Sequence, residues 1–457
     1  MQSGQFCVIS LGCAKNRVDS EEIIGSLVKN GYSLTAELNE ADLVIINTCA
    51  FIREARKETI AAIKRAARLK KSSSARLDKI VVVGCLAGYY RESVIKKAIP
   101  QVDHVVPIDN YSSIPVILKN TPGQGRARSG VTKLSRAGSS SSKSIDRFLT
   151  GPPHSVYIKI AEGCNNRCSY CLIPSLRGRL RSRSIDEIAA EVRAVQRLGA
   201  REIILVAQDT TAYGLDYYGR FMLPELLQRL CALNGEIAWI RLMYAHPSHV
   251  TDTLLQVMAT ESKICKYIDI PIQHVSDSIL ELMGRKTTGK DIAALYHKMR
   301  TIVEGITLRT TVMVGYPGEG EREFEELLHF LEQHPFERLG AFIFSPERGT
   351  AAFGQGKPVS AEEASRRLHL VMSRQKEISR RFNKDLLGEK VAVIIDVPAR
   401  KGKAAHARMP SQAPEVDGRV ILSGASGMEQ GTLSMARITA AGAYDLMGEM
   451  ADNEPGQ

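Results

Sequence analysis

The stretch that most constrains this chain is residues 161–179, AEGCNNRCSYCLIPSLRGR, in which Cys164, Cys168 and Cys171 form a C-x3-C-x2-C triplet. Three thiols within eight residues let one loop wrap one metal centre. Residues 155–160 (SVYIKI) just before it alternate and are rich in β-formers, which places the triplet at the carboxyl end of a strand. Zinc is the alternative occupant, but a structural zinc wants four closed ligands, usually in paired Cys/His knuckles. No Cys or His follows at knuckle spacing; the nearest downstream histidine is His246. An iron–sulfur cluster held by only three thiolates leaves one iron without a protein ligand and open to a substrate.

With Tyr170 directly before the last cysteine, the triplet resembles the signature of the radical S-adenosylmethionine (SAM) enzymes. The resemblance implies a 4Fe-4S cluster that chelates SAM through its amino and carboxyl groups and reduces it to a 5′-deoxyadenosyl radical. It also places Tyr170 beside that cofactor.

At 457 residues the chain is too long for one compact core and implies two to four domains. No apolar run approaches the roughly 18 residues of a transmembrane helix. The start, MQSGQFC, lacks a basic segment followed by an apolar one, so no secretory signal is expected and the chain reads as cytoplasmic. In that compartment thiols stay reduced, so the nine cysteines are better explained by metal binding or burial than by disulfides. The 61 Lys plus Arg against 50 Asp plus Glu give a net charge of +11, which suits an acidic or nucleic-acid-containing partner but does not require one.

Residues 1–120 alternate strands and helices. Residues 6–11, 42–46 and 79–83 are apolar strand candidates; residues 19–30 and 53–70 have helical periodicity, the latter strongly basic. This pattern predicts a doubly wound parallel sheet. Cys13, Cys49 and Cys85 each follow such a strand by one to three residues, and in an open parallel sheet those positions share one ligand-binding edge. The bland alternative is three unrelated buried cysteines; three matching placements in successive units favour a second cluster, again with one open iron. Cys7 lies within a strand and is expected in the core. The segments 10–21 (SLGCAKNRVDSE) and 47–52 (NTCAFI) resemble the methylthiotransferases, a radical SAM branch that carries two clusters.

Residues 121–150 are rich in Gly, Ser and Lys/Arg, cannot bury enough apolar surface to fold alone, and read as a flexible basic linker. Residues 151–385 offer six strand candidates separated by helical segments: 155–160, 202–207, 239–243, 267–270, 307–314 and 338–344. This predicts a partial (β/α)6 barrel with its chemistry at the strands' carboxyl ends. Gln208 follows the second strand and is placed to hydrogen-bond SAM or substrate. Gly315, Pro317 and Gly318 follow the fifth, where glycines let a backbone approach SAM, although a plain turn selects the same residues. His246 and His274 are read as pocket-lining or structural, since radical chemistry needs no general base; beyond the cluster ligands no catalytic residue is expected. Cys231 and Cys265 sit in apolar contexts and are read as packing residues.

The segments 208–214 (QDTTAYG) and 267–277 (YIDIPIQHVSD) look like the ribosomal-protein branch of the methylthiotransferases rather than the branch that modifies isopentenyladenosine in tRNA. That resemblance implies transfer of a methylthio group to the β-carbon of an aspartate in small-subunit ribosomal protein S-twelve. It also implies a flavodoxin- or ferredoxin-like reductant and a sulfur donor. Residues 401–412 form an atypical polar stretch. Residues 386–457 turn to short β-rich runs (390–397, 419–423, 432–438) separated by glycines, as in a small β-barrel, and resemble a TRAM domain. Between Gly388 and Gln457 there are seven Lys/Arg and nine Asp/Glu, whereas a module gripping a phosphate backbone should be basic. Such a module suits a basic protein partner. Residues 445–457 are read as a frayed tail. The sequence leaves two rival functions open: a tRNA methylthiotransferase, and a non-catalytic iron–sulfur RNA-binding or assembly protein that never consumes SAM.

Overall fold

The computed structural model describes residues 4–72, 75–119, 147–356 and 359–451. The chain divides into two compact units, one of Met1–Thr150 with Ser175–Arg177, the other of Gly151–Pro174 with Gly178–Gln457.

In the first unit, runs of Val and Ile form β1 (Gln5–Ser10), β3 (Leu43–Thr48) and β4 (Lys79–Gly84), flanked by the short β2 (Ser33–Leu34) and β5 (His104–Val106). They pair in the order β2-β1-β3-β4-β5, each pair parallel. All six residues of β3 are buried, as expected of a central parallel strand covered on both faces. Helix α1 (Ala14–Lys29) packs Ile23, Ile24 and Leu27 into the core with Phe6, Leu43 and Val81. It begins directly after Cys13, five residues earlier than the periodicity suggests, because Lys15, Asn16 and Asp19 are buried polar residues that break the amphipathic pattern. Helix α2 (Arg53–Lys70) buries only Thr59, Ile63, Ala66 and Ala67. The predicted linker lies mostly outside the described residues. Its last four, 147–150, are held against α1: Arg147 forms a buried ion pair with Glu21 at 2.5 Å, and Thr150 donates its amide and hydroxyl to the same carboxylate. The flexible reading does not hold there.

The second unit carries six parallel strands in simple chain order: β6 (Ser155–Lys159), β9 (Glu202–Val206), β10 (Trp239–Leu242), β11 (Ile264–Asp269), β12 (Thr307–Val314) and β13 (Arg338–Ile343). Between the first two lies a small ribbon, β7 (Ala161–Glu162) with β8 (Arg181–Ser182), which brackets the cysteine triplet. This is the open (β/α)6 sheet expected from the spacing of the strands.

The last strands close into a barrel ordered β14-β15-β16-β18-β17: β14 (Lys390–Val397), β15 (Ala405–Arg408), β16 (Val420–Ser423), β17 (Leu433–Ala441) and β18 (Leu446–Met450). Two of these correct the sequence reading. The polar stretch at 401–412 contains β15. The supposed tail contains β18, which pairs with both β16 and β17 and closes the barrel. Its alternation is weak because Gly448 holds an inward position; Leu446 is the single large apolar residue it buries.

Buried charge joins this barrel to the sheet. Glu202, fully buried, accepts from Arg241 at 2.8 Å and Arg408 at 2.7 Å, and Arg408 also binds Asp396, which meets His154 at 2.9 Å. Burial alone would push the Glu202 carboxyl up; Arg408 and Arg241 outweigh it and hold the group at about 2. Its folded value lies below its ordinary 4.5, so this stabilisation is fully present above pH 4.5 and is lost as pH falls through about 2. Removing the carboxylate leaves the fully buried Arg241 without its acidic partner and Arg408 with Asp396 alone. Glu202→Ala should therefore cost about 3–5 kcal/mol at neutral pH, seen as a lower thermal midpoint; an unchanged midpoint would mean the pair is dispensable.

Candidate metal centres

In the first unit the parallel register brings the ends of β1, β3 and β4 to one edge, and Cys13, Cys49 and Cys85 follow those ends by three, one and one residues. Polar side chains staple the three turns. Asn16 donates to Leu11 O (2.7 Å) and Thr48 O (3.0 Å); Asn47 donates to Asn16 O (2.8 Å) and Ser20 Oγ (2.9 Å). Thr48 donates to Val83 O and accepts from Leu86 N, and Thr59 closes on both backbone groups of Cys49. Gly12 and Gly84 adopt φ of +97° and +90°; a Cβ on Gly12 would lie 2.9 Å from Cys49 Cβ, and one on Gly84 would meet the Thr48 backbone at 2.6 Å. Only glycine leaves room there.

Arg177, six residues beyond Cys171 in sequence and counted with this unit, is buried among these turns. It donates to Asn16 Oδ1 and reaches Asp19 Oδ2 at 3.2 Å. Burial pushes the Cys85 thiol up to about 11 even though Arg177 bonds it and opposes the shift, and burial likewise raises Cys49. At Cys13 the packing around the sulfur also acts upward. There Lys15, Arg177 and the Asn16 and Lys15 amides prevail, and the thiol falls below its ordinary value.

In the second unit the triplet loop is pinned on several sides. Cys164 N donates to Gly178 O (3.1 Å), Ser169 N to Met283 O (2.9 Å), and Ser169 Oγ meets the Tyr316 hydroxyl at 2.7 Å. Asn166 Nδ2 donates to Asp209 Oδ2 at 2.8 Å, tying the loop to the segment after β9. Amides of Asn166 and Ile173 point at Cys164 Sγ and Cys171 Sγ, each at 3.4 Å. Burial raises these two thiols to about 11 and about 12, respectively.

The donor chemistry fits iron–sulfur clusters at both places. Each offers three free cysteines whose charges act on one another, and soft thiolates select such clusters, zinc or cuprous copper. Sulfur-directed amides at one and the cations Arg177 and Lys15 at the other are hydrogen bonds and charge of the kind that would tune cluster sulfurs.

The other predicted contacts fall as follows. Tyr170 packs against Ile279, Met283, Tyr316, Phe344 and Ala352, beside Cys168 and Arg285. Gln208 donates to Glu162 Oε1 at 2.7 Å, and its own Oε1 is buried without a partner among the described residues, a free acceptor beside the loop. Gly315 (φ +76°) and Gly318 (φ +93°) lie in the turn after β12, with buried Pro317 between them. A Cβ on Gly315 would strike Ala364 at 2.9 Å, so helix packing already accounts for that glycine. His274 is fully buried, accepts from Ser276 N, and is pushed down to about 4 by burial; His246 is pushed down to about 3 by burial and Arg285. Cys7 and Cys265 are buried, and Cys231 is half-buried on a helix. The sequence alone gave no role to Asn16, Asn47, Thr48, Thr59, Asp209 and Arg177. The sequence marks some of these: Asn47-Thr48 ends an otherwise apolar strand and precedes a cysteine.

Three family models match the chain: the uncharacterized protein family UPF0004 over residues 5–107, the radical SAM superfamily over 158–331 and a TRAM domain over 387–451. The chain is 42% identical over 454 residues to the ribosomal protein uS12 methylthiotransferase RimO of Desulforudis audaxviator, covering 99% of this chain and 98% of that one. The protein of the same name from Geobacter sulfurreducens is 40% identical over 447 residues, covering 97% and 98%. Among solved structures, the radical SAM methyltransferase TsrM of Kitasatospora setae, with cobalamin and a 4Fe-4S cluster bound, superposes with a TM-score of 0.54 at 14% identity, covering 77% of this chain and 74% of that one. That last likeness is one of fold.

The thiol electrostatics give a direct test on metal-free protein. Iodoacetamide at neutral pH should alkylate Cys13 at least about tenfold faster than Cys85, because only the thiolate reacts. Arg177→Met should slow Cys13. Equal rates at the two cysteines by mass spectrometry would refute this electrostatic picture.

Proposed function

Because the chain belongs to the ribosomal protein uS12 methylthiotransferase family of radical SAM proteins, we propose that it adds a methylthio group to the β-carbon of an aspartate in uS12. The observation that carries this reading is the placement of three free thiols at each of two loop sets, inside a chain that matches these relatives from end to end. In this reading Cys164, Cys168 and Cys171 hold one 4Fe-4S cluster, and Cys13, Cys49 and Cys85 hold a second. When bound, the clusters and SAM supply the hydrogen-abstracting radical and the sulfur, chemistry that an unactivated aspartate β-C–H bond requires.

The chain's own residues do the holding. Asn16, Asn47 and Thr48 keep the first three thiols together, and Arg177 offsets thiolate charge. Ser169, Asn166 and the 3.4 Å amides fix the second loop. Gln208, with its free Oε1, and Tyr170 line the cofactor's place. Residues 1–120 serve as the sulfur-carrying domain, 121–150 as a connector, 151–385 as the radical domain and 386–457 as the module that docks the partner. That last module supports a protein substrate over tRNA, since one of its seven Lys/Arg, Arg408, is already buried on Glu202 and Asp396. A flavodoxin- or ferredoxin-like reductant and a sulfur donor complete the reaction, which we place in the cytoplasm. Among the described residues no helix is long and apolar enough to cross a membrane.

Anaerobically reconstituted protein, SAM and reductant, incubated in parallel with small ribosomal subunits and with tRNA, should produce a methylthio mass gain on an aspartate of uS12. A gain only on tRNA adenosine would overturn the substrate. Cys168→Ala should abolish 5′-deoxyadenosine formation. Cys49→Ala should retain it yet deliver no methylthio group; delivery by that variant would rule out Cys49 as a ligand of the sulfur carrier.

A further inference from the structure

Helix α2 has no part in this account, yet it is the most strongly charged element of the first unit. It carries seven Lys/Arg and two Glu, and beyond Thr59 it has no acidic residue. Two of those cations serve the fold. Arg56 donates to Ala50 O at 3.2 Å and lies over the Tyr89 ring, and Lys70 pairs with Asp103 at 2.5 Å. The remaining Arg53, Lys57, Lys64, Arg65 and Arg68 are exposed, as is Lys71 at the carboxyl cap. None of these six has an ion pair or side-chain hydrogen bond among the described residues. The long helix Ala361–Lys384 shows the ordinary arrangement instead: its Arg366, Arg367, Arg374 and Arg380 each face a glutamate.

At about 100° per residue, Arg53, Lys57, Lys64, Arg68 and Lys71 fall within about 60° of one another, a straight row about 27 Å long. Helix stability does not account for it. Like charges four residues apart, as in Arg53 with Lys57 and Lys64 with Arg68, weaken a helix. The helix dipole welcomes cations only at the carboxyl end, whereas Arg53 is the first residue and Lys57 the fifth. A partner that brings negative charge along a line relieves both costs. A protein partner suits the row poorly, because such interfaces are depleted in lysine and are centred on aromatic or apolar anchors. Here Ala61 fills the gap between Lys57 and Lys64, so the row offers close approach and no anchor. Interfaces with nucleic acid are polar and strongly positive, as this face is.

We propose that the row Arg53, Lys57, Lys64, Arg68 and Lys71 is a phosphate-backbone contact for ribosomal RNA, made when the protein engages uS12 in the small subunit. This rests on the function proposed above, which names a substrate that is itself part of a ribonucleoprotein. The C-terminal barrel lacks the excess of cations needed to hold phosphates, and α2 supplies it. Arg53 lies four residues past Cys49, so a strand laid along the row begins near the edge that carries the first three thiols. Phosphate contacts position without reading sequence, which leaves the choice of target to the protein substrate.

The test compares the reconstituted full-length wild type with a fivefold variant, R53Q/K57Q/K64Q/R68Q/K71Q, and with K64Q/R68Q should the first fail to fold. Affinities for small ribosomal subunits and for protein-free small-subunit rRNA are measured over a salt series, with a uS12 peptide as control. Wild-type affinity for both RNA-containing probes should fall steeply with salt. The fivefold variant should bind them at least about tenfold more weakly, with a log–log salt slope shallower by about 3–4, and the double variant by about 1–2. Peptide binding should be unchanged. An rRNA affinity and salt slope that survive in a folded variant overturn the proposal. So does a loss confined to electron transfer from reduced flavodoxin, which would assign the row to an acidic reductant. A wild type that binds rRNA through this row yet never modifies uS12 would instead sink the functional reading and leave the RNA contact standing.

Discussion

Parallel pairing of β1 with β3, and of β3 with β4, sends three consecutive strands out at the same edge. The six-stranded sheet of the second unit imposes the same condition on β6 and on β9 through β13. Hydrogen-bond register does not by itself make a metal site, yet it delivers Cys13, Cys49 and Cys85, more than 70 residues apart at the extremes, to turns that lie side by side. Everything else at the first site refines that delivery. Asn16 and Asn47 satisfy backbone groups that the turns leave open, and glycines at 12 and 84 admit the close approach.

Buried charge appears where the molecule needs a defined geometry rather than where it needs stability. Desolvating an ion pair roughly cancels its attraction, so such pairs add little net stability while penalising any arrangement that separates them. Glu202 with Arg241 and Arg408 registers the barrel on the sheet. Arg367 with Glu319 does the same for the turn after β12, and Arg177 with Asp19 for the thiol-bearing turns. The barrel's basic residues are thereby partly committed to internal contacts.

Much of this was legible beforehand because it is local. Short β-forming runs predicted β9 and β12 to within one residue and β3 to within two, and the spacing of Cys164, Cys168 and Cys171 carries its chemistry within one loop. Misses arose where the local signal is diluted. Helix α1 hides its first turn behind buried polar residues. β18 offers one inward apolar side chain, and β15 is flanked by lysines and glycine while its Arg408 points into an ion pair.

Written along the chain is the chemistry available: two sets of three thiols, the loops that carry them and the alternating architecture behind those loops. Those properties depend on spacing along the chain, and spacing is written there. Which polar side chains surround the thiols emerges only on folding. Asp209 reaches Asn166 of the triplet loop across 43 residues of chain, and Arg177 is 158 residues from its partner Asp19. A buried charge acquires its role from the groups that replace its water, and those groups are known only once the chain has folded.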